Sequence, residues 1–293
     1  MVGSANLDST FAMARLPAAG ETVTGAVLSE AQGGVGANQA VAAARAGAAV
    51  ELLAAVGDDE GGTGLLADLA RDGVGVDHCL RIAGEPTGRA AIWVDASGEN
   101  QIVVAGGAND RLDPDAAEGA LAAIDGAAVL LCQLETPRAA EPALRWARER
   151  GVLGILNASP AVPAAALPRG ASAVIVNEGE ARTIAGSSGP ADPAADAAAI
   201  ASSLGADTVV VTLGGAGVLA LHHGERLRID APAVTPVDTT GAGDAFAGAL
   251  AARLAAGDPI EPALAFACAA GALATTARGA STSPRANEVE ALL

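Results

Sequence analysis

Residues 129–157, VLLCQLETPRAAEPALRWARERGVLGILN, decide the fold class. The run 129–133 is short and apolar, as a buried strand is. Residues 137–150 have helical composition and carry Pro137 at the start, where a helix tolerates proline. Residues 152–157 are a second apolar run. Strand, helix and strand joined by short connections form a unit whose two strands run parallel. The same rhythm extends both ways. Residues 50–56 read as a buried strand and 62–71 as the helix after it. Residues 174–177 and 208–212 read as strands, with helices over 178–185 and 194–204 between them. Glycine and proline gather at the strand ends, as tight connections require. The expectation is a single α/β domain over residues 1–293, a mainly parallel sheet with helices on both faces. Residues 186–193 (GSSGPADP) are a loop within it, not a linker.

Two stretches break the rhythm. Residues 21–32 (ETVTGAVLSEAQ) and 88–105 (GRAAIWVDASGENQIVVA) alternate apolar and polar side chains, the second around a turn signal at Ala96-Ser97-Gly98-Glu99. They read as antiparallel strands, either a small projecting β lid or an ordinary edge hairpin. A lid would take approximately residues 9–32 and 86–106, and would exclude water from a site beneath it.

Composition narrows the function classes. Of 293 residues, 51% are hydrophobic and 2% aromatic, with no tyrosine, so a sizeable aliphatic core is available without disulfides or structural metals. The formal net charge of −17 disfavours nucleic acid and anionic membrane surfaces as partners. Cys79, Cys132 and Cys268 are odd in number and widely spaced, which suits a reducing compartment. His78, His222 and His223 are not spaced as a metal site. The start, MVGSANLD, carries no basic leader, and the Ala-rich run 262–276 falls short of a membrane span. The expected location is the cytoplasm.

Chemistry concentrates in residues 236–253, PVDTTGAGDAFAGALAAR. A polar, glycine-rich turn leads directly into an apolar helix. Gly241 and Gly243 let the backbone approach a ligand, and free N–H groups there, including that of Ala242, can donate hydrogen bonds to phosphate oxygens. Asp244 stands in the same turn. Its carboxylate is either a base that takes a proton from an attacking hydroxyl or an ordinary helix cap.

Residues 32–47, QGGVGANQAVAAARAG, form a second glycine turn ahead of a helix beginning near Asn38. Gly33, Gly34 and Gly36 supply backbone amides, and the Asn38 amide can hydrogen-bond several hydroxyls of a polyol. The alternative is a glycine turn and cap. Neither the phosphate-loop spacing GxxxxGK[ST] nor a dinucleotide fingerprint is present.

Taken in order, eight segments resemble the ribokinase-like family, the phosphofructokinase-B type of sugar kinase. They are GSANLD (3–8), GETVTG (20–25), GGVGANQAVAAARAGA (33–48), GDD (57–59), QLETP (133–137), NEGEA (177–181), TLGGAGV (212–218) and DTTGAGDAFAGAL (238–250). The second and third are most similar to the ribokinase branch. The resemblance implies ATP-dependent phosphorylation of a sugar's terminal hydroxyl, with D-ribose the leading acceptor. Deoxyribose, fructose, ketodeoxygluconate and nucleosides such as adenosine remain alternatives. A non-catalytic sugar-binding regulator is the reading from another class, and the intact Asp244, Gly241 and Gly243 speak against it.

The resemblance also assigns roles. Asp244 would be the catalytic base, with Gly241, Ala242 and Gly243 as the anion hole. Asn6, Asp8, Gly33, Gly34, Asn38 and Glu135 would form the sugar pocket. Asn177, Thr212, Gly214, Gly215, Gly217, Gly243 and Cys268 would line the ATP site. Glu180, with Asn177, would organise Mg²⁺ through water. Asp238, Thr240, Ala274, Ala277, Gly279 and Ser283 would hold a monovalent cation, K⁺. Dimers through the projecting sheet would use Val23, Val27, Ile92, Val94, Ile102 and Val103. The chain departs from the pattern at Val35, where ribokinases carry Lys near the sugar, and at Cys268, where they often carry His beside adenine. It also begins close to the first motif, which implies a short first strand or a late start.

Overall fold

The computed structural model describes residues 1–96 and 99–293. Ser97 and Gly98 of the expected turn lie outside the described residues. The chain opens with β1 (Asn6–Ala12), β2 (Val27–Gly33), α1 (Val35–Arg45), β3 (Val50–Glu51), β4 (Ala55–Gly57) and α2 (Glu60–Arg71). It continues through β5 (Val74–Gly75), β6 (Leu80–Ile82), β7 (Gly88–Val94), β8 (Asn100–Ala105), α3 (Pro114–Leu121), β9 (Val129–Gln133) and α4 (Pro137–Arg150). Next come β10 (Leu153–Asn157), β11 (Ala173–Asn177), α5 (Glu178–Ala185), α6 (Pro193–Leu204) and β12 (Thr208–Thr212). The last elements are β13 (Val218–His222), β14 (Glu225–Ile229), α7 (Ala242–Ala255), α8 (Ile260–Ala274) and α9 (Ala286–Glu290).

The main sheet runs in the order β14-β13-β12-β11-β10-β9. Strands β9 to β12 are parallel, and β13 and β14 return antiparallel at the edge. Val2 bridges Cys132 on one side and Leu53 on the other, both parallel, so the layer continues past β9. Successive side chains on a strand point to opposite faces, and both faces here are apolar. Leu130, Cys132, Leu156, Val174, Val176, Val209 and Val211 pack in one core with residues of α3 to α6. Leu131, Ile155, Ile175 and Val210 pack in another with residues of α1, α7 and α8. This is the expected α/β layer with helices on both faces. Truncating a fully buried member such as Ile155 to alanine costs about 2–5 kcal/mol.

Three expectations shift. The run 50–56 is not one strand but two short pieces, because its neighbours change along its length. Val50 pairs with Val74, Leu53 with Val2 and Ala55 with Leu80. Helix α1 starts at Val35 with Gly34 as its N-cap, so Asn38 lies inside the helix and not at its start. The second sheet, β2-β1-β7-β8, is mixed and not purely antiparallel. β1 and β7 run parallel, and β2 and β8 each fold back against one of them. It is a sheet of its own and not an edge hairpin of the main one. Residues 21–26 contribute no strand to it. Its outer strands expose Val27 (69%), Leu28 (55%), Ile102 (54%), Val103 (59%) and Val104 (56%).

Among the described residues, no helix is long and apolar enough to cross a membrane. None of their His, Cys, Asp and Glu side chains gather in threes as a metal cluster.

Candidate active site

The turn into α7 is fixed before the helix begins. Asp238 Oδ1 accepts hydrogen bonds from Thr240 N (3.0 Å) and Thr240 Oγ1 (2.7 Å), and Oδ2 accepts from Gly279 N (3.0 Å). Burial works against the Asp238 charge, but these hydrogen bonds outweigh it and hold the carboxyl below the usual range. Gly241 caps the helix at φ 77°, and a Cβ there would lie 2.3 Å from Ala280 O. Only glycine meets both conditions. A Cβ on Gly243 would meet open space, so the backbone of the first turn is accessible. The N–H groups of that turn have no partner within the helix and carry its positive dipole end, although Ala242 N donates at 3.3 Å to Thr239 O just before it.

Asp244 stands in the same turn, and both of its carboxylate oxygens are engaged by α1. Asn38 Nδ2 donates to Oδ2 and Gln39 Nε2 to Oδ1, each at 3.1 Å. The carboxyl is raised to about 7, by burial above all and by the charges of Glu135 and Asp8, against the downward pull of the Gln39 and Asn38 donors. A carboxylate balanced near neutrality is suited to taking a proton at physiological pH.

The upstream residues converge on the same cluster. Asp8, on β1, is pushed up to about 6 by burial and by the charge of Glu135. Gly33, at the end of β2, lies so close that a Cβ would sit 2.2 Å from the Asp8 carboxylate. Glu135 follows β9, and its Oε2 accepts from Ser4 Oγ and from Val35 N (3.1 Å), pinning the turn that Gly34 caps. Asn6 is buried, with Oδ1 accepting from Asn109 Nδ2 at 2.8 Å. Asp8, Glu135 and Asp244 thus arrive from a strand of the second sheet, a strand end of the main sheet and a helix start.

The residues assigned to nucleotide and metal lie along adjacent strand ends. Asn177 closes β11 opposite Thr212, which closes β12. Asn177 Oδ1 accepts from Glu180 N (2.8 Å) and Glu180 Oε2 accepts from Asn177 N (2.7 Å), a reciprocal capping box. Residues Gly214–Ala216 form a 3-10 turn in which added Cβ atoms on Gly214 and Gly215 would meet nothing. Cys268 is buried on α8, and burial pushes its thiol up to about 12. Thr282 Oγ1 shares its one hydrogen between Ala274 O (3.0 Å) and Gly279 O (3.1 Å), tying both into the loop that holds Asp238. Ser283 O accepts from Arg45 Nη1 at 3.0 Å, and Ala277 is exposed. A cavity of about 660 Å³ opens at the other ends of the strands, around Val50, Val129 and Ala255, and none of these site residues lines it.

A model of the pfkB family carbohydrate kinases matches residues 1–287. This chain belongs to the pfkB family of carbohydrate kinases. It is 38% identical over 296 residues to the ribokinase of Bacillus subtilis, covering 100% of this chain and 98% of the relative. It is 36% identical over 286 residues to the ribokinase of Haemophilus influenzae, covering 97% and 94%. The solved structure of Arabidopsis thaliana ribokinase complexed with ribose and ATP superposes with a TM-score of 0.85 at 30% identity, over 99% of this chain and 96% of that one.

Several polar residues of this carbohydrate kinase escaped the sequence reading as site residues. Buried Gln39 and Gln133 and half-buried Asn157 form an amide chain behind Asp244. Ser4 holds Glu135, and Asn109 holds Asn6. A signal existed for two of them, since Gln133 and Asn157 are polar ends of apolar strands, where ligands of parallel sheets gather. Gln39 looked like one polar residue in an Ala-rich helix. Its direction was not legible until α1 packed on α7.

Proposed function

We propose that this kinase transfers the γ-phosphoryl group of ATP to the terminal hydroxyl of D-ribose, giving D-ribose 5-phosphate and ADP. One observation carries the reading. The carboxyl of Asp244, poised at about 7, sits in the first turn of α7 behind Gly241, Ala242 and Gly243, and two other carboxylates are near enough to raise it. The full-length similarity to proteins named ribokinase supports ribose as the acceptor.

In this reading, Asp8, Asn38 and Glu135 hold the sugar hydroxyls, with Asn6, Gly33 and Gly34 shaping the pocket. Asp244 accepts the proton of the attacking hydroxyl, and the amides of residues 241–243 stabilise charge on the transferred phosphoryl group. Thr212, Gly214, Gly215, Gly217, Asn177 and Cys268 line the nucleotide site, Cys268 as a packing residue.

Oxygen donors at Asn177 and Glu180 suit Mg²⁺, which keeps several waters of its own. Glu180 gives Oε2 to the cap and keeps its other oxygen for such a water. Bound with ATP, Mg²⁺ supplies charge neutralisation at the phosphates. The oxygens of Asp238, Thr240, Ala274, Ala277, Gly279 and Ser283 suit K⁺ as an activator. Hydrogen bonds among Asp238, Thr240, Gly279 and Thr282 hold that loop in shape, and a carbonyl that accepts one hydrogen bond retains a second lone pair. The second sheet acts as a lid and as the face of a homodimer, through its exposed valines and Ile102. Three free cysteines suit the cytoplasm.

ADP release over a panel of pentoses, hexoses and nucleosides, with and without K⁺, tests the reading. D-ribose should give the highest kcat/KM and K⁺ should raise it. Faster turnover of deoxyribose, fructose, ketodeoxygluconate or adenosine would move the assignment to that acceptor.

A further inference from the structure

Two hydrogen bonds reach Asp244 from α1, and one comes from a residue that no sugar or nucleotide contact accounts for. Gln39 is 0% exposed. Its Nε2 donates to Asp244 Oδ1 (3.1 Å) and to Asn157 Oδ1 (2.7 Å). Its Oε1 accepts from Gln133 Nε2 (2.6 Å). Asn157 in turn donates Nδ2 to the backbone carbonyl of Ile175 (3.2 Å).

The direction of this chain is forced. A backbone carbonyl only accepts, so Asn157 must turn its NH₂ to Ile175 and its oxygen to Gln39. Gln39 must then turn its NH₂ to Asn157, and the same NH₂ faces Asp244. Its oxygen is left for Gln133, which must donate. In that orientation Gln133 Nε2 also donates weakly to Met1 Sδ (3.5 Å), while its own Oε1 is buried with no hydrogen-bond partner. Flipping the Gln133 amide would set oxygen against oxygen at Gln39. An acceptor left unmet so that a donor can face inward indicates that the donor's direction matters.

We propose that Gln39 is a positioning residue for the base, locked by Asn157 and Gln133 so that its NH₂ holds Asp244 Oδ1 and favours the ionised carboxylate. Asn38 holds Oδ2, so the rotation of the carboxylate is fixed at both ends. The other charged groups acting on Asp244 are Asp8 from β1 and Glu135 from the turn after β9, and both oppose ionisation. Gln39 counters them from the buried side. The proposal rests on the reading of Asp244 as base.

The test is the pH profile of kcat/KM with ATP and D-ribose for wild type, Gln39→Met, Gln133→Leu and Asp244→Asn, with thermal melting to report folding. Removing a hydrogen bond to a charged group should move the acidic limb of Gln39→Met upward by about one pH unit, with the rate recovering at high pH. Gln133→Leu should move it the same way by less. A merely structural role would lower the rate equally at all pH values, and unmoved limbs in the folded variants overturn the proposal. Should Gln39→Met fail to fold, the limb of Gln133→Leu decides alone. Near-normal turnover in Asp244→Asn would instead sink the base itself, so the two failures are distinguishable.

Discussion

Asn38 Nδ2 donates to Asp244 Oδ2 at 3.1 Å, joining α1 to α7 across 206 positions of sequence. The residue assigned to the sugar and the residue assigned as base are therefore one unit. Asp244→Asn keeps the shape but removes the proton acceptor. kcat should fall by roughly 10²–10⁴-fold, the usual contribution of a general base. Titration calorimetry with ATP should show nucleotide affinity little changed.

The pH dependence has a definite sign. A base must be ionised, so kcat/KM should rise with pH through about 7. Asp8→Asn removes a charge that raises the Asp244 carboxyl, so the limb should move to lower pH while KM for sugar rises. Stability follows the same groups. The Asp8 carboxyl sits at about 6 when folded, against an ordinary 3.8. Its stabilising contribution is whole below about 3.8 and lost as pH rises through 6. The difference in urea midpoint between wild type and Asp8→Asn should therefore shift against wild type between pH 4 and 7.

Gly33→Ala would place a Cβ 2.2 Å from the Asp8 carboxylate. The carboxylate must rotate away or β2 must shift. KM for the sugar should rise at least tenfold, about 1.4 kcal/mol of lost binding, with KM for ATP unchanged in initial-rate kinetics. Equal losses on both substrates would argue against a sugar-side role for Asp8.

Glu180 combines a helix cap with the proposed Mg²⁺ role. Glu180→Gln can still accept from Asn177 N but lacks the charge. It should raise the Mg²⁺ concentration needed for half-maximal rate and leave the melting temperature near wild type. Glu180→Ala loses the cap as well and should cost about 1 kcal/mol in denaturant unfolding.

Ile102, Val103 and Val104 expose successive apolar side chains on β8. Val103→Asp should halve the mass seen by light scattering at micromolar protein. A monomeric wild type under the same conditions would remove the dimer.

Much of the layer was legible early, because apolar strands and Ala-rich helices alternate over most of the chain. Failures came where a local pattern had more than one partner to satisfy. The run 50–56 is apolar but for Glu51, yet it divides because β5, Val2 and β6 each claim part of it. The second sheet was read as antiparallel from alternation, which reports the period of a strand and not its direction. Parallel pairing of β1 with β7 involves residues more than 75 positions apart, and nothing local encodes it.

Asp244 shows the same division. The glycine turn and its carboxylate were readable in DTTGAGD because helix starts and glycine turns are local chemistry. Alone, that carboxylate is nearly as well explained as a cap. Tertiary packing buries it, faces it with Asn38 and Gln39 and brings Asp8 and Glu135 near, and the proposed role as base rests on that setting. Residue types and their spacing set which groups exist, whereas burial and the direction of each neighbour's amide set their proton affinity, and these exist only once distant segments meet.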